Sequence, residues 1–174
     1  SPDDDPISIT FNRFFRRITQ AANMFNDLGV GPKDTVAILL PLLPQAQFAL
    51  WGGEAAGIAS PINFLLSAEQ IAELLNASQA KVVVALGPHP MLDIWEKIES
   101  IRSKVSSLKA ILVVSGPADE ANGIYAFDET INKYPGDKLA SEREFLPDDI
   151  ASYFHTGGTT GSPKLAKHTH ANEV

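Results

Sequence analysis

The chain has 174 residues, enough for one sizeable core, with 44% hydrophobic and 20% charged residues, the proportions of an ordinary globular domain. Its net charge of −7, from 14 basic against 21 acidic residues, argues against nucleic-acid or anionic-membrane partners, which need clustered Lys and Arg. The absence of cysteine excludes disulfides, thiolate metal sites and cysteine nucleophiles, and leaves a reducing cytoplasm as the expected compartment. No apolar stretch approaches the roughly 20 residues of a membrane span. The start, Ser1-Pro2-Asp3-Asp4-Asp5, is acidic and lacks Met, so it is no signal peptide, and a piece of a longer protein is expected.

The first predicted element is a helix. Phe11, Phe14, Phe15, Ile18, Ala22, Phe25 and Leu28 recur at helical spacing and form one apolar, core-facing side, ended by Gly29 and Gly31-Pro32. Val36–Leu40 is a continuous apolar run, the pattern of a strand buried on both faces. Pro44 opens a second helix that runs to Ala56, and Gly57 ends it ahead of a short Ile58–Pro61 segment. Ser67 and Gln70 have the spacing of a capping box and start a third helix to about Ser78. Lys81–Ala85 is a second buried strand. Ile94, Trp95, Ile98 and Ile101 mark a fourth helix, and Ala110–Val114 a third buried strand. A short helix is expected over Phe127–Lys133, an irregular polar stretch over Pro135–Pro147, and a last strand over Ile150–His155. Trp51 and Trp95 are expected in the core. Alternation of helices with uniformly apolar strands predicts an α/β fold, a parallel sheet with helices on both faces. Ligands of such sheets bind beyond the carboxyl ends of the strands.

The last strand delivers the most informative run of the chain: His155-Thr156-Gly157-Gly158-Thr159-Thr160-Gly161-Ser162-Pro163-Lys164. Glycine allows positive φ and close approach of a ligand to the backbone. Successive free N–H groups form an anion-binding concavity, threonine hydroxyls add donors, and a lysine can reach a phosphate. A plain surface turn has little need of three glycines and three threonines in six positions. A Walker P-loop needs Gly-x-x-x-x-Gly-Lys-Ser/Thr. Here Ser162-Pro163 separate Gly161 from Lys164, and Leu165 stands where the hydroxyl should be.

Thr156 to Lys164 resembles the phosphate-binding signature of the AMP-forming adenylate enzymes, which include acyl-CoA synthetases, adenylation domains of peptide synthetases, and luciferases. The family pattern Tyr-Thr-Ser-Gly-Thr-Thr-Gly-x-Pro-Lys-Gly is matched at Thr156, Gly158, Thr159, Thr160, Gly161, Pro163 and Lys164. The chain departs from it at His155, Gly157 and Leu165. Thr10-Phe11, Leu28–Pro41, Ala56–Asn63 and Ala77–Val84 also resemble blocks of the family, in the same order, so residues 1–174 read as a partial N-terminal AMP-binding domain. His155-Thr156-Gly157-Gly158 with His168-Thr169-His170 looks most like bacterial acyl-CoA synthetases.

The resemblance implies a two-step reaction. A carboxylic acid, fatty or aryl, attacks the α-phosphate of ATP with Mg²⁺, and coenzyme A then displaces AMP. It assigns Gly157, Gly158 and Gly161 to backbone contacts with the phosphates, and Thr156, Thr159 and Thr160 to hydroxyl donors. Ser162 and Pro163 complete the loop, with Lys164 as a mobile phosphate partner. The family's adenine and ribose motifs, hinge, catalytic lysine and small C-terminal domain lie downstream. No catalytic residue is therefore expected in this chain, which should be inactive alone and prone to self-association through uncovered apolar surface. Two alternatives stay open: an adenylation domain that loads a carrier protein, and a non-catalytic binding module on the same fold.

Other polar residues have plainer readings. His168 and His170 would face the same way on a strand, but two ligands do not make a metal site. His155 either approaches a ligand or packs at a strand end. His89 is a turn residue between prolines, Asp148-Asp149 is turn chemistry after Pro147, and Asp3-Asp4-Asp5 is an acidic terminus.

Overall fold

The computed structural model describes residues 8–156 and 164–173. They form a seven-stranded sheet flanked by five α-helices: α1 Phe11–Asp27, β1 Thr35–Leu39, α2 Pro44–Ala56, β2 Ile58–Pro61, α3 Ala68–Ala77, β3 Ala80–Leu86, α4 Ile94–Ile101, β4 Ala110–Val114, β5 Ile124–Ala126, α5 Phe127–Thr130, β6 Ile150–Thr156 and β7 Lys164–Thr169. The strand order is β5-β4-β3-β1-β2-β6-β7. Every pairing is parallel except the last, where β7 runs antiparallel to β6. All residues of β1 and β4 are buried. Successive strand residues point to opposite faces, so both faces of the sheet are covered by helices, as the uniformly apolar strands predict.

The helices start and stop where the local chemistry places them. Thr10 Oγ1 caps α1 by accepting the Arg13 N–H. Gly29, at φ +85°, closes it: the Val30 N–H reaches back to Phe25 O at 2.9 Å, a turn that favours glycine. At α3 both halves of the capping box form, with the Gln70 N–H donating to Ser67 Oγ and the Ser67 N–H to Gln70 Oε1. Replacing Ser67 with alanine is expected to cost about 1 kcal/mol, read as a lowered thermal midpoint.

Three expectations are corrected. Phe11 and Phe15 do not face the core; they are 82% and 63% exposed. Helical period fixes the apolar side of α1, but α2 covers only part of it. Phe14 stacks on Phe48 at 5.9 Å, and a Cβ at Gly52 would meet Ala21, while the fully buried residues of α1 lie in Ala21–Phe25. Trp51 is 43% exposed, one residue before the Gly52 that faces Ala21 of α1; Trp95 packs against the core as expected. The strand over Ile150–His155 extends to Thr156 and is not the last, since β7 follows it.

The amino ends of β1, β2 and β3 are bound into one cluster. Lys81 Nζ donates to Asp34 Oδ2 at 2.8 Å and to Gly29 O at 2.6 Å, and Thr35 Oγ1 donates to Ser78 O at 2.8 Å. Burial pushes the Asp34 carboxyl up, but the Lys81 ammonium and the Gly31 N–H outweigh it and hold it below its ordinary value.

Candidate functional site

The carboxyl ends of β1, β2 and β6 lie at one edge of the sheet. There the chain leaves β1 through Leu40-Pro41 and β2 through Ile62-Asn63. An apolar recess of about 290 Å³ opens between them, lined by Ile38, Leu40, Leu42, Leu50, Ile62 and Phe64 among others.

Next to it, β6 and β7 form a hairpin with Thr156 opposite Lys164, His155 opposite Leu165 and Phe154 opposite Ala166. Thr156 and Lys164 are both exposed, so the two roots of the predicted phosphate run are adjacent and open to solvent. Gly157, Gly158, Thr159, Thr160, Gly161, Ser162 and Pro163 lie outside the described residues. The position agrees with the rule that ligands of parallel sheets bind beyond the carboxyl ends of strands.

The hairpin is joined to the rest of the sheet by a short ladder. β2 pairs β6 through Ala59 opposite Ser152. Three residues further along β6, His155 Nε2 accepts the Asn63 N–H at 3.0 Å. Of the two readings of His155, the described geometry supports the strand-end role. On the other side, the partly buried Leu165 packs against the core, where the related pattern has glycine.

The remaining histidines separate. His168 lies on β7 with its ring 4.9 Å from Phe154. His170 lies beyond the strand in a 3-10 turn, its ring 5.6 Å from Phe145, so the two do not share a strand face. The pairing expected for a strand fails because β7 ends at Thr169, whose side chain caps the turn through Asn172. His89 accepts the Met91 N–H in a turn. Asp149 closes a turn by accepting the Leu146 N–H, as its position after Pro147 predicts. Asp3, Asp4 and Asp5 lie outside the described residues. Among the described residues no group of three or more His, Asp or Glu side chains could hold a metal, and no helix is long and apolar enough to cross a membrane.

Sequence reasoning missed a buried polar cluster behind β6. Glu54, on α2, is only 7% exposed. Burial first, and the Glu173 carboxylate second, push its carboxyl up to about 8. Ser152 Oγ donates to Glu173 Oε1. Arg143, from the stretch expected to be irregular and polar, has a side chain 5% exposed and donates to the carbonyls of Glu54 and Gly57. Burial lowers its guanidinium pKa, partly opposed by Asp149 at 3.8 Å. No periodicity marks such residues. The sole signal was a glutamate inside an apolar helix.

The AMP-binding enzyme family matches residues 2–174. The chain is 31% identical over 168 residues to the marinolic acid–CoA ligase of Pseudoalteromonas sp. (strain SANK 73390), covering 97% of this chain and 25% of that protein. It is 32% identical over 161 residues to the crotonobetaine/carnitine–CoA ligase of Escherichia coli (strain SE11), covering 90% and 30%. Among solved structures, the anthranilate CoA ligase AuaEII, in complex with anthranoyl-AMP, superposes with a TM-score of 0.82 at 27% identity over 93% of this chain and 30% of that one. The N-terminal domain of FACL13 from Mycobacterium tuberculosis shares the fold, with a TM-score of 0.76 over 94% of this chain and 38% of that one. The chain thus spans between a quarter and a third of the length of the marinolic acid–CoA and crotonobetaine/carnitine–CoA ligases. On a match that runs from residue 2 to residue 174, over the fold those ligases share, the chain belongs to the AMP-binding enzyme family.

Proposed function

We propose that this chain is part of an ATP-dependent, AMP-forming acid–CoA ligase, and that residues 156–164 are its phosphate-binding segment. The observation that carries the reading is the hairpin: Thr156 and Lys164 are cross-strand partners, both exposed, at the carboxyl edge of the sheet. A hydroxyl donor and a cation at adjacent roots suit an anionic polyphosphate. The relatives support coenzyme A over a carrier protein as the acceptor, since both named above are acid–CoA ligases.

In this reading a carboxylate oxygen bonds to the α-phosphorus of ATP, bound as its magnesium complex, while the bond to the bridging oxygen of the β-phosphate breaks and pyrophosphate leaves. The thiol sulfur of coenzyme A then bonds to the acyl carbon, AMP departs, and the thiol proton is lost. Thr156 and Lys164 orient the departing pyrophosphate and offset the charge that builds on it. Groups that hold adenine, ribose and the acid belong to chain beyond these 174 residues, a reading supported by the share of each relative covered. Whether the acid is fatty or aryl is set there too. The uncovered recess and the exposed Leu42 and Leu65 support the same division, and would let the isolated chain self-associate.

The test is carboxylate-dependent ATP–pyrophosphate exchange by the full-length gene product over short, long and aromatic acids. Exchange is expected with some acids, and none from the 174-residue chain. Lys164→Ala is expected to slow it about 10- to 100-fold, the scale of one lost charge-assisted phosphate contact. A folded product that exchanges with no acid and does not bind ATP overturns the reading.

A further inference from the structure

The end of β6 is held to the sheet by a side chain. Beyond the Ala59–Ser152 pair, the contact that reaches toward the phosphate run is His155 Nε2 accepting the Asn63 N–H at 3.0 Å. This bond assigns the ring: Nε2 carries the lone pair, so the proton of the neutral imidazole is on Nδ1.

Asn63 is a firm partner. Ile62 N–H donates to Ile38 O of β1 at 2.9 Å, Asn63 Oδ1 accepts the Leu65 N–H at 3.0 Å, and Phe64 O accepts Lys97 Nζ of α4 at 3.0 Å. The turn over 62–66 is therefore fixed to both β1 and α4, and His155 extends that anchorage to the root of the run. Adjacent strand residues point to opposite faces. Holding the His155 ring on one face sets Thr156 on the other, beside Lys164.

We propose that His155 is a positioning residue for phosphate binding: by accepting the Asn63 N–H, it fixes the end of β6, and with it Thr156, relative to the carboxyl end of β2. The proposal rests on the reading of residues 156–164 given above. It concerns one of the three positions where the chain departs from the related pattern. Donor placement within a fraction of an ångström is what phosphate contacts need, and a strand joined to β2 through one ladder pair does not supply it alone.

The test is NMR on the 174-residue chain. Ring ¹⁵N shifts of His155 should report the Nδ1–H tautomer. His155→Phe, which removes the acceptor, should speed amide exchange at Asn63 and at the Thr156–Lys164 end of the hairpin about tenfold, with β1 and β3 unchanged. His155→Gln, whose Oε1 can accept the same N–H, should restore slow exchange. Titration of the full-length gene product carrying the same substitutions with Mg·ATP should weaken about tenfold in the Phe variant and recover in the Gln variant. An Nε2–H ring, or unaltered exchange in the Phe variant, overturns the proposal. The ring measurement decides even if the Phe variant does not fold. Absence of any ATP response in the unaltered full-length gene product counts against the phosphate reading instead, and leaves the tie to be judged by exchange.

Discussion

Replacing Gly57 with alanine is expected to destabilise the chain by about 3 kcal/mol, read from the shift in its urea midpoint. Gly57 ends α2, and the obstacle to a side chain there is space. An added Cβ would stand 2.6 Å from Gly31 O and closer still to Asp34 O. Neither carbonyl can retreat. Gly31 O accepts the Asp34 N–H, Asp34 O accepts the Ile58 N–H, and the Asp34 side chain is held by Lys81. Gly57 O in turn accepts from the buried Arg143. Gly53→Ala is the control. A Cβ there meets Ala59 Cβ at 3.3 Å, a small adjustment, and alanine gains helix propensity over glycine. Equal midpoints for the two variants would show that the turn relaxes and that the close approach does not constrain the fold.

Gly57 also shows why so much of this fold is legible in the sequence. The blocks 28–41, 56–63 and 77–84 resemble the family, and they meet in space at the amino ends of β1, β2 and β3, where Gly57, Asp34, Lys81, Thr35 and Ser78 interlock. Those positions are fixed by local packing and hydrogen bonding, the kind of constraint that leaves a pattern in a short window. Strand runs such as Val36–Leu40 and Ala110–Val114 are legible for the same reason: burial on both faces leaves no polar residue among them. β5 is three residues long after the left-handed Gly123, too short for any period to register. β7 mixes Lys, Leu, Ala, Lys, His and Thr at an edge of the described sheet, where none of its residues is fully buried and apolar continuity is not required. Phe11, Phe15 and Trp51 show the opposite limit. Periodicity locates an apolar side but not the partner that covers it.

The candidate site was legible in part. The run from Thr156 to Lys164 declares its chemistry by composition, and the strand before it declares its place. What ties the hairpin to β2 depends on a contact 92 residues apart, His155 with Asn63, and the buried cluster behind it on one 89 residues apart, Arg143 with Glu54. No local pattern encodes such distances. A histidine at a strand end and an arginine in a polar stretch have nothing in their neighbourhoods to announce a buried partner.

Glu54 yields the second large effect, and its sign follows from burial. In the unfolded chain its carboxyl ionises near the ordinary 4.5, whereas in the folded chain it stays protonated up to about 8. A raised carboxyl pKa contributes stability that is complete below 4.5 and is lost as pH rises toward 8. The loss is on the order of 3–5 kcal/mol over that window, so the urea midpoint should fall steadily between pH 5 and pH 8 and level off above it. Glu54→Gln keeps the volume and removes the charge. It should flatten the profile and leave the variant more stable than the unaltered chain at pH 9. Glu173→Gln separates the two causes. Burial is the larger, so removing the neighbouring carboxylate should leave most of the slope. A Glu173→Gln profile as flat as that of Glu54→Gln would make charge repulsion the dominant cause. Because Glu173 accepts from Ser152, the β6 residue paired with Ala59, ionisation of Glu54 places charge behind the short ladder that joins the phosphate hairpin to the sheet. Loosening at high pH should therefore begin there, with faster amide exchange at Ser152 and Phe154 before β1 and β3 respond.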